Sequence, residues 1–147
     1  MPFEYKAKVL KVYDGDTFTA DIDLGFGFFL KNKLVRLMGV DTPELKTKDL
    51  EEKKFGELSK KFVEKFFKEN KNEVIIHTHI EKISLEGKEK FGRILAYVFS
   101  ESSKESLNQK IIDNFLGVEY FGKSKDEIMF SHLENRKKLS EFKGEFN

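Results

Sequence analysis

The chain has 147 residues, 39% hydrophobic and 36% charged, enough for one domain with its own core and too apolar for a disordered chain. No apolar run is long enough to span a bilayer, and the absence of cysteine excludes disulfides and thiolate metal sites. The 27 basic and 26 acidic residues leave a net charge of +1. That lacks the basic excess that usually marks a nucleic-acid binder, although a divalent cation would add positive charge where carboxylates cluster.

Met1-Pro2-Phe3-Glu4 has neither the basic nor the apolar stretch of a signal peptide. The expectation is a protein retained in the cell or one whose leader has been removed. Residues 5–13 alternate, with Ala7, Val9 and Lys11 on one face and Lys8, Leu10 and Val12 on the other, a strand pattern. Asp14-Gly15-Asp16 is a turn signal, and residues 17–24 read as a second strand. Gly25-Phe26-Gly27 is the next turn and residues 33–38 a third strand, completing a meander.

After Pro43, Phe55, Leu58, Phe62, Val63, Phe66 and Phe67 recur at intervals of three and four, which predicts an amphipathic helix over residues 53–69, ended by Asn70-Lys71-Asn72. Residues 74–80 and 93–99 are rich in β-formers, with Gly87 in their connection. A helix is predicted over residues 107–115, capped by Ser106, with Ile111, Ile112 and Phe115 inward. Another is predicted over residues 126–142, capped by Ser124, with Ile128, Met129, Leu133 and Leu139 as its apolar stripe and a frayed end beyond. Five strands with one helix between the third and fourth is the OB-fold order, a partly open barrel that often binds oligonucleotides. The expectation is an α+β class and a single domain over residues 1–147, a five-stranded barrel with one inserted helix and two C-terminal helices.

Three short segments carry the chemistry: Asp14-Gly15-Asp16-Thr17, Arg36-Leu37-Met38-Gly39-Val40-Asp41-Thr42-Pro43-Glu44 and Lys90-Phe91-Gly92-Arg93. They supply carboxylates and arginines beside Gly or Pro turns or at strand ends, the inventory for holding one hard cation and clamping a phosphodiester. Hard divalent cations take oxygen donors, and no Cys or His stands near these motifs. Guanidinium offers a planar fork to two phosphate oxygens, which Lys cannot imitate. Each motif also has a plainer reading. Asp-Gly is the commonest hairpin signal, Arg36 could face outward from its strand, Arg93 could be an edge charge, and Glu44 could be an acid approaching a helix.

In order and spacing the three segments resemble the staphylococcal nuclease (thermonuclease) family, over roughly residues 8–139. The resemblance implies an OB barrel followed by two helices, and a calcium ion held by Asp16, Asp41 and a backbone carbonyl, here that of Thr42. It implies that Glu44 serves the attacking water, as general base or as orienting acceptor, and that Arg36 and Arg93 stabilise the transition state. Family members cleave DNA and RNA with little sequence preference and leave 3′-phosphates. A monomer with no membrane partner is expected.

Departures stand beside the match. The best-known member has a Tyr, touching a terminal phosphate, where this chain has Phe91; Lys90 remains as a phosphate contact. That member has two tyrosines near its base pocket, whereas Val118-Glu119-Tyr120-Phe121 offers Tyr120. His77 and His79 alternate onto one strand face, but no carboxylate nearby completes a metal pair. The rival function is a non-catalytic OB module binding nucleic acid or protein. Degenerate copies of that kind usually lose an Asp or Arg, and here Asp16, Arg36, Asp41, Thr42, Glu44 and Arg93 are all kept.

Overall fold

The computed structural model describes residues 3–78 and 93–141. β1 (Phe3–Asp14), β2 (Thr17–Gly25) and β3 (Phe28–Leu37) form an antiparallel meander. There follow a two-residue strand β4 (Val40–Asp41), helix α1 (Leu50–Glu69), β5 (Glu73–Thr78), β6 (Ile94–Phe99), α2 (Leu107–Asp113), a short β7 (Val118–Glu119) and α3 (Lys125–Glu141). Five strands close a barrel in the order β1-β2-β3-β6-β5, antiparallel except where β3 runs beside β6, and β4 pairs with β7 outside it. This is the expected α+β barrel, with α1 between its third and fourth strands and two helices near the C-terminus. No helix among the described residues is long and apolar enough to cross a membrane.

The two-residue period of a strand sends Phe18, Ala20 and Ile22 of β2, Val35 and Leu37 of β3, Val74 and Ile76 of β5, and Ala96 and Val98 of β6 into one buried cluster. Helix α1 closes one end of the barrel, with Phe67 4.8 Å from Phe18 and 5.8 Å from Phe66 between ring centroids. Each such side chain contributes about 1.5–3 kcal/mol on full burial. Asp49 caps α1 by accepting from the amides of Glu51 (3.0 Å) and Glu52 (3.2 Å), so the helix starts at Leu50, ahead of its first buried residue, Phe55. Periodicity alone could not see that first turn.

Two strand details differ from simple alternation. A bulge at Leu10, between the pairs Val9–Ala20 and Lys11–Thr19, re-phases β1, so Lys11 is exposed and Val12 packs on the core. At the next hairpin Phe26 (φ 56°) and Gly27 (φ 79°) form a two-residue turn, and β3 begins at Phe28 rather than 33. Residues 28–33 are all exposed, so no burial pattern marked them as strand.

The two later helices start where their caps predict: Ser106 accepts from the Gln109 amide (3.0 Å) and Ser124 from the Glu127 amide (3.2 Å). The expected apolar stripe of α3 is corrected. Met129 and Leu133 are exposed, and Leu139 is the buried member. The inward row is instead His132, Asn135, Arg136 and Leu139, the same helical spacing occupied mostly by polar groups.

Asn108 of α2 ties the barrel to the segment leaving β3. Its buried amide donates to Met38 O (2.9 Å) and Ala96 O (3.2 Å) and accepts from the Val98 amide (3.0 Å). Asn108→Ala would strand Met38 O beyond β3 and the Val98 amide of β6 at about 1–3 kcal/mol each. It should lower the unfolding free energy by at least about 2 kcal/mol in urea titrations, whereas Met129→Gln on the exposed side of α3 should stay within about 0.5 kcal/mol of wild type.

Candidate active site

The site forms where the β1–β2 turn meets the chain leaving β3. Asp14 pairs with Thr17, so Gly15 and Asp16 make the turn itself. A Cβ on Gly15 would lie 2.8 Å from Ser59 Cβ and 2.9 Å from Thr42 Cγ2, so the turn can nestle between α1 and β4 only with glycine there. Gly56, one helical turn before Ser59, likewise lets α1 approach the backbone of Pro43 and Glu44, its absent Cβ being 2.8 Å from Pro43 O. The Ser59 hydroxyl donates to Leu116 O, drawing in the segment before β7. A row of small residues on α1 thus seats both carboxylate-bearing loops.

Asp16 is buried, and its carboxylate accepts from three donors. The Thr17 hydroxyl (2.8 Å) and Arg36 Nη1 (2.8 Å) reach Oδ1, and the Thr42 amide (3.1 Å) reaches Oδ2. Arg36 does not face outward into solvent. Its neighbours Val35 and Leu37 enter the core, and Arg36 turns toward the returning chain, donating from Nη2 to Val40 O at 3.2 Å. The same Nη2 lies 3.6 Å from Asp41 Oδ1, so one guanidinium bridges two carboxylates 25 residues apart in the chain. The Tyr120 ring centroid stands 5.7 Å from that guanidinium.

Asp41 is half-exposed on β4, held against β7 by the pairs Val40–Glu119 and Asp41–Val118. Its Oδ2 accepts from His132 Nε2 of α3 at 2.8 Å. Thr42 is buried and its Oγ1 has no hydrogen-bond partner among the described residues. Glu44 is exposed at the rim. Arg36 is the register partner of Leu95, and strand alternation puts Arg93 on that same sheet face, immediately before β6. Lys90, Phe91 and His79 lie outside the described residues. His77 stacks on Phe99 (4.3 Å) and faces Glu4 (3.8 Å).

The structure therefore joins Asp16, Arg36, Asp41 and Thr42 directly, with Glu44 and Tyr120 at the margin. His132 and Asn108 escaped sequence reasoning. For His132 a signal existed, because residues 132, 135, 136 and 139 follow helical spacing, but three of them are polar and the apolar search passed over them.

Burial and neighbouring charge together set the electrostatics. Burial, the hydrogen bond with Asp16 and the charge of Asp16 push the Asp14 carboxyl up to about 7. Burial alone would raise Asp16 as well, but the hydrogen bond from Asp14, the Arg36 charge, the Thr42 amide and the Thr17 hydroxyl hold it below the usual range. Partial burial and the negative charges of Asp16 and Asp41 raise Glu44, which suits a proton acceptor.

Among the described residues no group of three or more His, Cys, Asp or Glu side chains gathers closely enough to hold a metal by itself. Two carboxylates on one guanidinium, beside a buried threonine whose oxygen has no partner among the described residues, are an all-oxygen set. Such a set fits a hard cation completed by backbone carbonyl and water, and calcium tolerates that irregularity better than magnesium.

The Asp14 shift has a sign that can be tested. Its carboxyl titrates at an ordinary 3.8 when unfolded and at about 7 when folded. Stability tied to its neutral form is full below the unfolded value and is lost as pH rises through the folded one. Asp14→Asn stays neutral, so urea unfolding should show it gaining on wild type between about pH 4 and about pH 8. A difference that does not grow with pH would contradict the assignment.

Comparison with known proteins gives the family. A family model described as staphylococcal nuclease homologue matches residues 34–141, from the end of β3 through α3. An uncharacterised protein of Methanocaldococcus jannaschii is 34% identical, the match covering 71% of this chain and 53% of that protein. The thermonuclease of Staphylococcus hyicus is 31% identical, covering 74% of this chain and 55% of that enzyme. The chain spans about half the length of the curated relatives it matches. It belongs to the staphylococcal nuclease family.

Proposed function

We propose that this chain is a calcium-dependent nuclease that hydrolyses phosphodiester bonds of DNA and RNA with little sequence preference and leaves 3′-phosphates. The observation that carries the reading is the meeting of Asp16, Arg36 and Asp41 in direct contact, from three different elements, at one end of a barrel. A buried carboxylate and guanidinium are costly to keep dry, and nothing in the packing of the core requires them there. The similarity to a thermonuclease supports the same class of chemistry.

In this reading Asp16, Asp41 and the Thr42 carbonyl would hold calcium. When bound, the ion supplies positive charge that polarises the scissile phosphate. Glu44 accepts a proton from the water that attacks phosphorus, a role its raised carboxyl suits. The bond from phosphorus to the 5′ oxygen breaks, that oxygen takes a proton from solvent water, and the phosphate stays on the 3′ side. Arg36 and Arg93 meet the charge that builds on the phosphoryl oxygens, one of them near the departing 5′ oxygen. Lys90 and Tyr120 contact the substrate, Tyr120 from beside Arg36.

Plasmid DNA should be cut in calcium and spared in excess chelator, and Asp16→Ala should abolish cutting while the protein remains folded by circular dichroism. Undiminished cleavage by Asp16→Ala or in chelator would overturn the cation assignment. A folded, calcium-binding protein that binds DNA without cutting it would favour the non-catalytic module.

Arg36→Lys and Arg93→Lys keep the charge and lose the fork, so each should lower kcat by at least ~10²-fold with a much smaller change in substrate binding. Arg36→Lys should also lower stability, because Arg36 bridges Asp16 and Asp41. Loss of affinity with unchanged turnover in either variant would make that arginine a docking residue.

A further inference from the structure

Asp41 is poorly anchored for a metal ligand. It lies on a strand of two residues, its side chain is 33% exposed, and its contact with Arg36 is a long 3.6 Å. The torsion that turns an aspartate carboxylate is broad and soft. Its short contact comes from the far end of the chain, where His132 Nε2 meets Oδ2 at 2.8 Å. An ionised carboxylate only accepts, so the imidazole donates. The two oxygens are thereby divided: Oδ2 is turned to α3, and Oδ1 is turned toward Arg36, which holds Asp16 on its other nitrogen.

His132 is itself held in place. Its side chain is 13% exposed, and the rest of the inward row of α3 anchors the helix on either side of the site. Asn135 Nδ2 donates to Gly117 O at 3.1 Å, and Gly117 precedes Val118, the strand partner of Asp41. Arg136 lies 3.9 Å from Asp49, the cap of α1, and its guanidinium sits 5.8 Å from the Phe55 ring. Leu139 is buried beneath. The helix thus delivers one anchored donor to one oxygen of a partly exposed carboxylate.

We propose that His132 is a positioning residue for the cation site, fixing the carboxylate of Asp41 so that its other oxygen is presented alongside Asp16. This rests on the reading of Asp16 and Asp41 as calcium ligands. Groups that orient a metal's ligands from behind typically change affinity by ~10–100-fold when removed. A purely structural His132 would dock α3 and do nothing more, and Asn135 provides the control, since it docks the same helix face without touching Asp41.

The test is calcium binding, measured by titration calorimetry on wild type, His132→Ala, His132→Gln and Asn135→Ala, with circular dichroism confirming the fold. His132→Ala should weaken calcium binding by ~10–100-fold, His132→Gln, whose amide nitrogen reaches about as far as Nε2, should recover most of it, and Asn135→Ala should stay within about threefold of wild type. Unchanged affinity in His132→Ala overturns the inference alone, and so does an equal loss in Asn135→Ala. Wild type that binds no calcium overturns the cation reading and this inference with it. If His132→Ala does not fold, His132→Asn, too short to reach Oδ2, takes its place: a loss there that Gln does not share supports the positioning role, and equal behaviour of Asn and Gln rejects it.

Discussion

The ion pair between Asp16 and Arg36 is the constraint around which the site is arranged. A carboxylate 6% exposed and a guanidinium 18% exposed, 2.8 Å apart, are tolerable in a protein only when further hydrogen bonds offset their lost hydration. Asp16 meets that demand with the Thr17 hydroxyl and the Thr42 amide, and Arg36 with Val40 O. Those partners come from the β1–β2 turn and from the chain leaving β3, so satisfying one buried charge fixes two loops relative to each other. Arg36 also approaches Asp41, offsetting the repulsion between two acids that would otherwise resist being brought together.

Packing makes this arrangement rigid. Gly15 lies against Ser59 and Thr42, and Gly56 lets α1 run close to Pro43 and Glu44, so the inserted helix is a floor for the site as well as a plug for the barrel. Asn108 does a similar task from α2, tying Met38 to β6 just before the turn at Gly39. Gly39 has φ +77°, and its missing Cβ is where the Phe121 ring sits, which brings the segment after β7 over the site and sets Tyr120 near Arg36. These contacts join segments remote in sequence, and the glycines among them leave room for a close neighbour: side chains at Gly15 and Gly39, backbone at Gly56.

Helix α3 is unusual in how it docks. Its inward row is an imidazole, an amide, a guanidinium and one leucine, so directional contacts carry more of its attachment than apolar burial does. Polar docking of that kind has lower tolerance for displacement than a greasy face, because a hydrogen bond weakens steeply with angle and distance. The helix is therefore suited to holding something in a set orientation, and what it holds is the strand that bears Asp41.

Much of the architecture was legible in the sequence because it depends on local rules. Strand alternation, the Phe and Leu period of α1, the Gly25-Phe26-Gly27 turn and the Ser106 and Ser124 caps each involve residues a few positions apart, where backbone geometry alone determines who can touch whom. The motifs holding Asp16, Arg36, Asp41, Thr42 and Glu44 were legible for the same reason, as short turn-flanked strings. What the tertiary structure decided was pairing at long range and burial of polar groups. The bulge at Leu10 follows from how β1 meets β2 and Asn72, the inward turn of Arg36 from the chain folding back over β3, and the bond from His132 to Asp41 from a helix 91 residues away. Apolar periodicity could not locate the inward face of α3, because hydrogen-bonding groups buried in partnership leave no hydrophobic pattern and their partners are known only once the chain has closed on itself.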